Sequence, residues 1–185
     1  MVIPLLKGGT ALIDVPDLIK KIGIGPGNVV ADLGCGGSGH FVAPTAALVG
    51  SSGMVYAVDI QKKVLSSLDS SLKLQHITNV KIVWSNLEDI GAAEVPDGSC
   101  DIAILANVLF QNKNHEAILS EAARMLKEGG ELVVVDWKHF KAPFGPPDEL
   151  RISADQAGKI AQRLGLKEER VFDVGDYHYA LILKK

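Results

Sequence analysis

Two periods of apolar residues run through this chain. Short, nearly continuous apolar stretches predict buried strands, and stretches with apolar residues every three to four positions predict amphipathic helices. The predicted strands are 28–33, 54–59, 80–84, 100–106 and 131–137. Helices are predicted to follow Asp14 and Gly39 and to span 61–74 and 114–127, the last ending at Gly129-Gly130. Buried strands that alternate with amphipathic helices are typical of an α/β fold, with helices on both faces of a parallel sheet.

The pattern changes near the end of the chain. Ser153 and Gln156 have the spacing of a capping box, which predicts a helix to about Leu164. Two further strands, 167–174 and 177–184, are joined only by Gly175-Asp176, and so short a connection requires an antiparallel hairpin. We therefore expect a seven-stranded sheet, parallel except for one strand near the end.

That sheet is expected to form a single domain over residues 1–185. The proline-rich segment 138–150 is predicted to be an irregular loop. Residues 1–13 are expected to be an N-terminal segment, and the Gly8-Gly9 pair within 7–11 would suit a lid over a site.

Composition and charge narrow the function classes. With 185 residues and a net charge of −3, the chain lacks the basic field that dominates nucleic-acid affinity, which weighs against a nucleic-acid partner. Its two cysteines, Cys35 and Cys100, belong to no Cys/His cluster, so no metal site is predicted, and a cytoplasmic location is expected. No apolar run approaches the ~20 residues that span a bilayer. The oligomeric state is left open.

A glycine-rich loop, 34–39, lies between a predicted strand and a predicted helix. Glycine permits backbone angles that other residues avoid, and it lets a ligand approach the main chain closely. One interpretation is a tight turn with no ligand. Another is a dinucleotide site, because Asp59 lies about 20 residues further on, where an acid would bind ribose hydroxyls.

A third interpretation comes from a resemblance. Asp32-Leu33-Gly34-Cys35-Gly36 resembles the first motif of the class I S-adenosylmethionine-dependent methyltransferases, in which an acid precedes the first glycine by two residues. Later stretches are similar to further motifs of that family in the same order, so the resemblance covers roughly residues 14–184. They are Val58-Asp59-Ile60, Asn86-Leu87-Glu88-Asp89, residues 101–109 and residues 125–130. The closing hairpin is also a feature of that family.

The resemblance implies a Rossmann-like sheet, S-adenosyl-L-methionine as the cofactor and a set of cofactor-binding residues. Asp32 would lie near the methionine amino group, Asp59 would bind the ribose diol, and Asn86 would lie on the adenine side. The full implied set is Asp32, Gly34, Cys35, Gly36, Asp59, Ile60, Asn86, Leu87, Ala106 and Asn107. Two positions depart from the family pattern: Ser38 replaces its third glycine, with Gly39 one residue late, and Asn86 stands where the family often has Asp.

Each candidate residue also has a structural interpretation. Asp32 and Asp59 are suited to cap helices. Cys35 is predicted to be a small buried residue and not a nucleophile, since no histidine partner is implied nearby. Asn107 would bind either a loop backbone or the cofactor.

An acceptor pocket is expected between the turn 107–112 and the loop 138–147. His139 is the candidate general base, while the catalytic residues are otherwise unknown. The Asn-Pro-Pro-Tyr pattern of nucleic-acid amino methyltransferases is absent after the fourth strand, which favours a small-molecule acceptor.

The leading hypothesis is therefore methyl transfer to an unidentified small molecule. The alternatives are a non-catalytic S-adenosylmethionine-binding module that serves a partner subunit, and an NAD-binding oxidoreductase. Asp32 disfavours the oxidoreductase, because nicotinamide-binding loops usually carry an apolar residue there.

Overall fold

In the part of the chain that the structure describes, seven strands form one sheet in the order β3-β2-β1-β4-β5-β7-β6. The computed structural model describes residues 12–140 and 144–185. The strands are β1 Val29–Leu33, β2 Met54–Asp59, β3 Val80–Trp84, β4 Cys100–Ala106, β5 Leu126–Trp137, β6 Lys167–Val174 and β7 His178–Lys184. β7 is antiparallel to both β5 and β6, whereas the pairs among β1 to β5 are parallel. This confirms the predicted Rossmann-like α/β fold with its C-terminal hairpin.

The five α-helices within the described residues divide between the two faces of the sheet. They are α1 Val15–Lys21, α2 Val42–Val49, α3 Lys62–Leu74, α4 His115–Met125 and α5 Ala154–Arg163. Buried residues of α1, α2 and α3 share one hydrophobic core with Val30 of β1, and those of α4 and α5 share another with Ala31 and Leu33. Successive strand residues therefore alternate between two cores, as expected for a sheet covered on both faces. No helix within residues 12–140 and 144–185 is long and apolar enough to cross a membrane.

The end of α4 differs from the prediction. Gly129-Gly130 does not end the helix, because Leu126 is already extended (φ −74°, ψ 139°) and pairs with Cys100 in the sheet. The next pair is Ile102 with Glu131, so one residue of β4 lies opposite residues 127–130 of β5, and the two glycines lie in this irregular part of the strand pair. A Cβ on Gly130 would lie 3.0–3.1 Å from three backbone oxygens, so Gly130 permits close backbone contact within the sheet, whereas Gly129 supplies a positive φ of +77°.

A buried ion pair fixes the segment that leads from β3 into β4. Glu121 of α4 is fully buried and accepts from the backbone N–H of Gly91 (2.8 Å) and from the Nε of Arg124 (2.8 Å). Arg124 also donates to the carbonyls of Ala93 (3.2 Å) and Val95 (2.8 Å). An irregular segment is thus attached to a helix through a charged pair whose carboxylate is fully buried and whose guanidinium is largely buried.

Candidate functional site

Two cavities open at the carboxyl edge of the sheet, on either side of the glycine loop. The central cavity, of about 430 Å³, lies between the ends of β1, β4 and β5 and the segment 144–146. The side cavity, of about 280 Å³, lies beyond the end of β2. All ten cofactor residues implied by the sequence lie on one cavity or the other. The central cavity contains Asp32, Cys35, Ala106 and Asn107, the side cavity contains Asp59, Ile60, Asn86 and Leu87, and Gly34 and Gly36 line both.

The glycines of the loop have three different functions. Gly34 has φ +80°, and a Cβ there would lie 2.6 Å from Cγ2 of Val108. Gly36 has φ +66° and nothing within 4 Å of its missing Cβ, so its backbone faces open space that a ligand can enter. Gly39 has φ +57° and would place a Cβ 2.6 Å from Leu68 of α3. The glycine that is one residue late in the motif therefore supplies a positive φ and lies close to a side chain of α3.

Asp32 brings an unpartnered carboxylate to the central cavity. It is 2% exposed, and its Oδ2 has no hydrogen-bond partner among the described residues. Burial, together with the nearby charge of Asp59, raises the pKa of Asp32 to about 7. Asp32 does not cap the following helix, since α2 has Phe41 as its N-cap and no side-chain capping bond. A cationic group entering the cavity would give this carboxylate a partner that the described residues do not supply.

Asp59 joins the glycine loop to the start of α3. Its Oδ2 accepts from the N–H of Gly36 (3.1 Å) and its Oδ1 accepts from the N–H of Gln61 (2.8 Å). Each carboxylate oxygen keeps a further lone pair that a ligand hydroxyl can use. The structural and ligand-binding interpretations of Asp59 are therefore compatible.

Asn86 forms bonds within its own turn. Its Oδ1 accepts from the N–H of Glu88 (3.1 Å), and its Nδ2 donates to Asp89 (3.1 Å). The amide oxygen that the sequence assigned to the adenine side is thus already in a hydrogen bond, and only its second lone pair remains for a ligand.

The turn after β4 is held in place by an acid that sequence reasoning missed. Asp136 of β5 is fully buried, and its Oδ2 accepts from the N–H groups of Leu109 (3.1 Å) and Phe110 (3.3 Å). Burial raises the pKa of Asp136 to about 6. The turn begins at Asn107, whose φ is +58° and whose buried amide nitrogen and oxygen have no partner among the described residues. The signal that could have revealed Asp136 is a lone carboxylate in an apolar strand.

Aromatic and apolar side chains form the remaining walls of the central cavity. They are Leu12, Phe41, Phe110, Trp137, Phe144 and Pro146. Both segments between which the sequence placed the acceptor pocket contribute to this lining. Among the described residues, no Lys, Arg or Glu lines the cavity. We call the part of the central cavity lined by these six aromatic and apolar residues the acceptor half.

The histidine in this cavity is not the one that the sequence favoured. His40, directly after the last loop glycine, lines the cavity. His139 is not among the lining residues, and its Nδ1 lies 3.1 Å from Oδ1 of Asp148. The position of His40 beside Gly39 is the signal that could have identified it. The proposed lid, 7–11, lies outside the described residues.

Cys35 lies in the cavity but is poorly suited to act as a nucleophile. Cys35 is only 8% exposed. Burial, followed by the charges of Asp32 and Asp59, raises the pKa of its thiol strongly, so the thiolate is disfavoured. These features support the predicted packing function.

A buried imidazole lies behind the aromatic wall. His178 is fully buried, its ring centroid is 4.4 Å from that of Trp137, and neither ring nitrogen has a hydrogen-bond partner among the described residues. Burial, with smaller contributions from the charges of Lys138 and Arg151, lowers the pKa of His178 to about 4. The native protein therefore holds this imidazole neutral.

We expect His178 to make stability depend on acidity. Between about pH 6.5 and pH 4 the unfolded chain binds a proton at this position and the folded protein does not, so stability falls as the pH falls through that window. His178→Phe should remove this part of the slope in urea unfolding measured from pH 7 to pH 4. The control His76→Asn, at an exposed histidine with φ +54°, should keep it. An unchanged slope in His178→Phe would contradict the prediction.

Comparison with known proteins places the chain in a family. The family model described as a methyltransferase domain matches residues 24–157. The chain is 36% identical over 111 residues to an arsenite methyltransferase of Aquipseudomonas alcaligenes, covering 58% of this chain and 32% of that protein. It is 33% identical over 127 residues to the ubiquinone/menaquinone biosynthesis C-methyltransferase UbiE of Hydrogenovibrio crunogenus, covering 68% and 48%. The chain thus matches about half or less of the length of these relatives.

Solved structures agree with this result. A SAM-dependent methyltransferase from Aquifex aeolicus superposes with a TM-score of 0.85 at 26% identity, covering 95% of this chain and 91% of that one. A putative type 11 methyltransferase from Sulfolobus solfataricus has the same fold, with a TM-score of 0.77 at 24% identity over 94% and 93% of the two chains. The motif residues follow the order of the family and lie on the two cavities. The chain therefore belongs to the class I methyltransferase family, whose cofactor is S-adenosyl-L-methionine.

Proposed function

We propose that this protein transfers the methyl group of S-adenosylmethionine to an uncharged small molecule bound in the acceptor half of the central cavity. The observation that carries the proposal is the buried, unpartnered carboxylate of Asp32 beside the open backbone of Gly36. A ligand with a cationic amino group fits this arrangement, because a buried charge needs a partner.

Residues around both cavities would hold the cofactor. Asp32 would accept from the methionine amino group, and Asp59 would accept from the ribose hydroxyls in the side cavity. The unpartnered amide of Asn107 offers both a donor and an acceptor beside Asp32. When bound, the cofactor supplies an electrophilic methyl group on a positively charged sulfur.

The remaining task of the chain is to position the acceptor and exclude water, because methyl transfer is an in-line displacement that depends on alignment. Phe41, Phe110 and Phe144 provide apolar walls for that purpose. For an acceptor that must lose a proton, His40 is the cavity side chain suited to accept it.

The chemistry of the lining supports an uncharged acceptor. A carboxylate or phosphate would find no cationic side chain among the described lining residues, whereas an apolar ring would find several aromatic partners. The relatives named for ubiquinone and menaquinone biosynthesis are compatible with such an acceptor. Arsenite has less support, because a soft centre favours thiolate donors and the cavity offers one buried cysteine, Cys35.

Calorimetry and a turnover assay test the proposal together. S-adenosylhomocysteine should bind to the purified chain, and NAD should not. Turnover of S-adenosylmethionine is then measured with matched acceptors, each a phenol or hydroquinone paired with the same ring carrying a carboxylate. The uncharged member should be methylated faster. Cofactor binding without turnover of any acceptor would favour the non-catalytic module, and NAD binding without S-adenosylhomocysteine binding would overturn the assignment.

The contribution of Asp59 can be measured separately. Asp59→Ala should weaken S-adenosylhomocysteine binding by at least tenfold, since hydrogen bonds to charged acceptors contribute about 1.5–3 kcal/mol each. Asp69→Ala, at an exposed carboxylate of α3 paired with Lys73, is the control and should bind normally. Native affinity in Asp59→Ala, with an unchanged circular dichroism spectrum, would leave Asp59 with only its bonds to Gly36 and Gln61.

A further inference from the structure

The buried guanidinium group of Arg151 binds several backbone carbonyls of the loop 138–147, which lies beside the acceptor half. Arg151 is 7% exposed, and its Nη1 donates to the carbonyls of Lys138 (2.8 Å) and Phe140 (2.9 Å). Its Nε and Nη2 both donate to the carbonyl of Pro146 (3.0 and 2.9 Å). The planar fork of arginine can reach these three carbonyls at once, which a lysine ammonium cannot do with the same geometry. Segments that leave β5 and approach the cavity thus meet at a single side chain.

The same guanidinium lies over two aromatic rings. Its central carbon is 5.6 Å from the ring centroid of Trp137 and 5.1 Å from that of Phe140. The Phe140 ring in turn stacks on Tyr177 at 5.4 Å, and the edge of Phe144 meets Tyr177 at 4.8 Å. Arg151 therefore connects the loop to the end of the sheet by contacts with rings as well as by hydrogen bonds.

The loop backbone lies directly against Trp137. Gly145 has φ +84°, and a Cβ there would lie 2.8 Å from Cζ3 and 3.0 Å from Cη2 of the indole. Any larger residue would have to displace the ring or the loop. Trp137, Phe144, Gly145 and Pro146 all line the central cavity, so this contact forms one of its walls.

We propose that Arg151 is a positioning residue that holds the wall segment Phe144–Pro146 against Trp137 and thereby sets the shape of the acceptor half. Arg151 does not itself line either cavity, and its hydrogen bonds do not involve Asp32, Asp59 or the glycine loop. Its loss should therefore open the wall and leave the cofactor-binding half intact. The assignment of this half of the cavity to the acceptor rests on the proposed function. The contacts between Arg151 and the wall segment do not depend on it.

The chain contains two tryptophans, so Trp84→Phe leaves Trp137 as the single fluorescent reporter of this wall. In that background, Arg151→Met and Arg151→Lys are compared with the unchanged arginine by acrylamide quenching and by S-adenosylhomocysteine calorimetry. We expect the quenching constant of Trp137 to rise at least threefold in both variants, with a red-shifted emission. Affinity for S-adenosylhomocysteine should stay within threefold. The lysine variant should not restore the wall, because it lacks the fork.

Matched variants make the result decisive. Arg170→Met removes an arginine that donates to one carbonyl, that of Lys21, and lies over Phe172, and it should leave the quenching unchanged. Gly145→Ala forces the wall away from Trp137 without touching Arg151 and should reproduce the rise, so the wall can be tested even if an Arg151 variant fails to fold. Unchanged quenching in the Arg151 variants would overturn the proposal. A loss of S-adenosylhomocysteine affinity as large as the rise in the quenching constant would also overturn it. Absence of S-adenosylhomocysteine binding in the unchanged protein would overturn the proposed function, while the quenching comparison would still judge Arg151.

Discussion

Asp32→Asn is expected to weaken S-adenosylhomocysteine binding by about 100-fold, because it removes the buried negative charge that we propose pairs with the ligand's cationic amino group. The side chain keeps its size, so the cavity keeps its shape. In the unchanged protein, affinity should fall as the pH falls below about 7, since protonation of Asp32 removes its charge before the ligand binds. The fall approaches tenfold per pH unit and should be absent in Asp32→Asn. Calorimetry between pH 8 and pH 5.5 measures both effects.

The same substitution should stabilise the ligand-free protein. The pKa of Asp32 is raised from 3.8 to about 7, so between these values the folded protein binds a proton that the unfolded chain has released. Stability contributed by the neutral form is therefore lost as the pH rises through that window, and Asp32→Asn avoids the loss. Asp14→Asn, at the exposed cap of α1, is the matched control and should change neither property. A variant with normal affinity and lower stability would show that Asp32 serves the fold and not the cofactor.

Arg124→Met is expected to have the largest effect on stability. It leaves the fully buried Glu121 without its charged partner, and breaking a buried ion pair in this way typically costs about 3–5 kcal/mol. For a protein of this size the melting temperature should fall by about 10 °C. Arg163→Met provides the control, because its guanidinium and its partner Glu116 are both exposed and an exposed pair contributes about 1 kcal/mol or less.

Arg124→Met should also change how the stability of the protein depends on pH in acid. Burial alone would raise the pKa of Glu121, but hydrogen bonds from Arg124 and from the N–H of Gly91 outweigh it and hold that pKa below its usual value. The ionised pair thus contributes stability above the ordinary pKa of a glutamate, and this stability is lost as the pH falls through the lowered pKa. Urea unfolding at several pH values should show a shallower acid slope in Arg124→Met. A melting temperature within 2 °C of the unchanged protein would contradict this interpretation.

The sequence predicted those features that depend on local pattern. Strand and helix positions followed from apolar periodicity, and the hairpin followed from the two residues between its strands. Gly129-Gly130 was assigned wrongly because a glycine pair has the same local signature after a helix and in an irregular part of a strand pair. The pairing of Leu126 with Cys100, which decides between them, is a long-range contact.

The candidate site divides in the same way. The motif residues lie on the two cavities because their positions at strand ends follow from the parallel sheet. Asp136 was missed because a lone carboxylate in an apolar strand does not show which groups it binds, and its partners, Leu109 and Phe110, are distant in sequence. His139 was favoured for its place after β5, but the direction of its side chain is set by Asp148.

The bond between Asp136 and Leu109 has a consequence for the order of folding. It joins residues 27 positions apart, and it forms only when β5 has paired with β4 after the intervening helix is made. The N–H groups of the turn that follows Asn107 therefore gain their acceptor, Asp136, late in folding, because contacts between residues distant in sequence form after local ones. A nascent chain that ends before β5 would contain Asp32, Asp59 and the whole glycine loop and would still lack the carboxylate that holds the turn after β4. An ordered turn at this edge of the sheet is therefore expected to require β5 as well as the glycine loop.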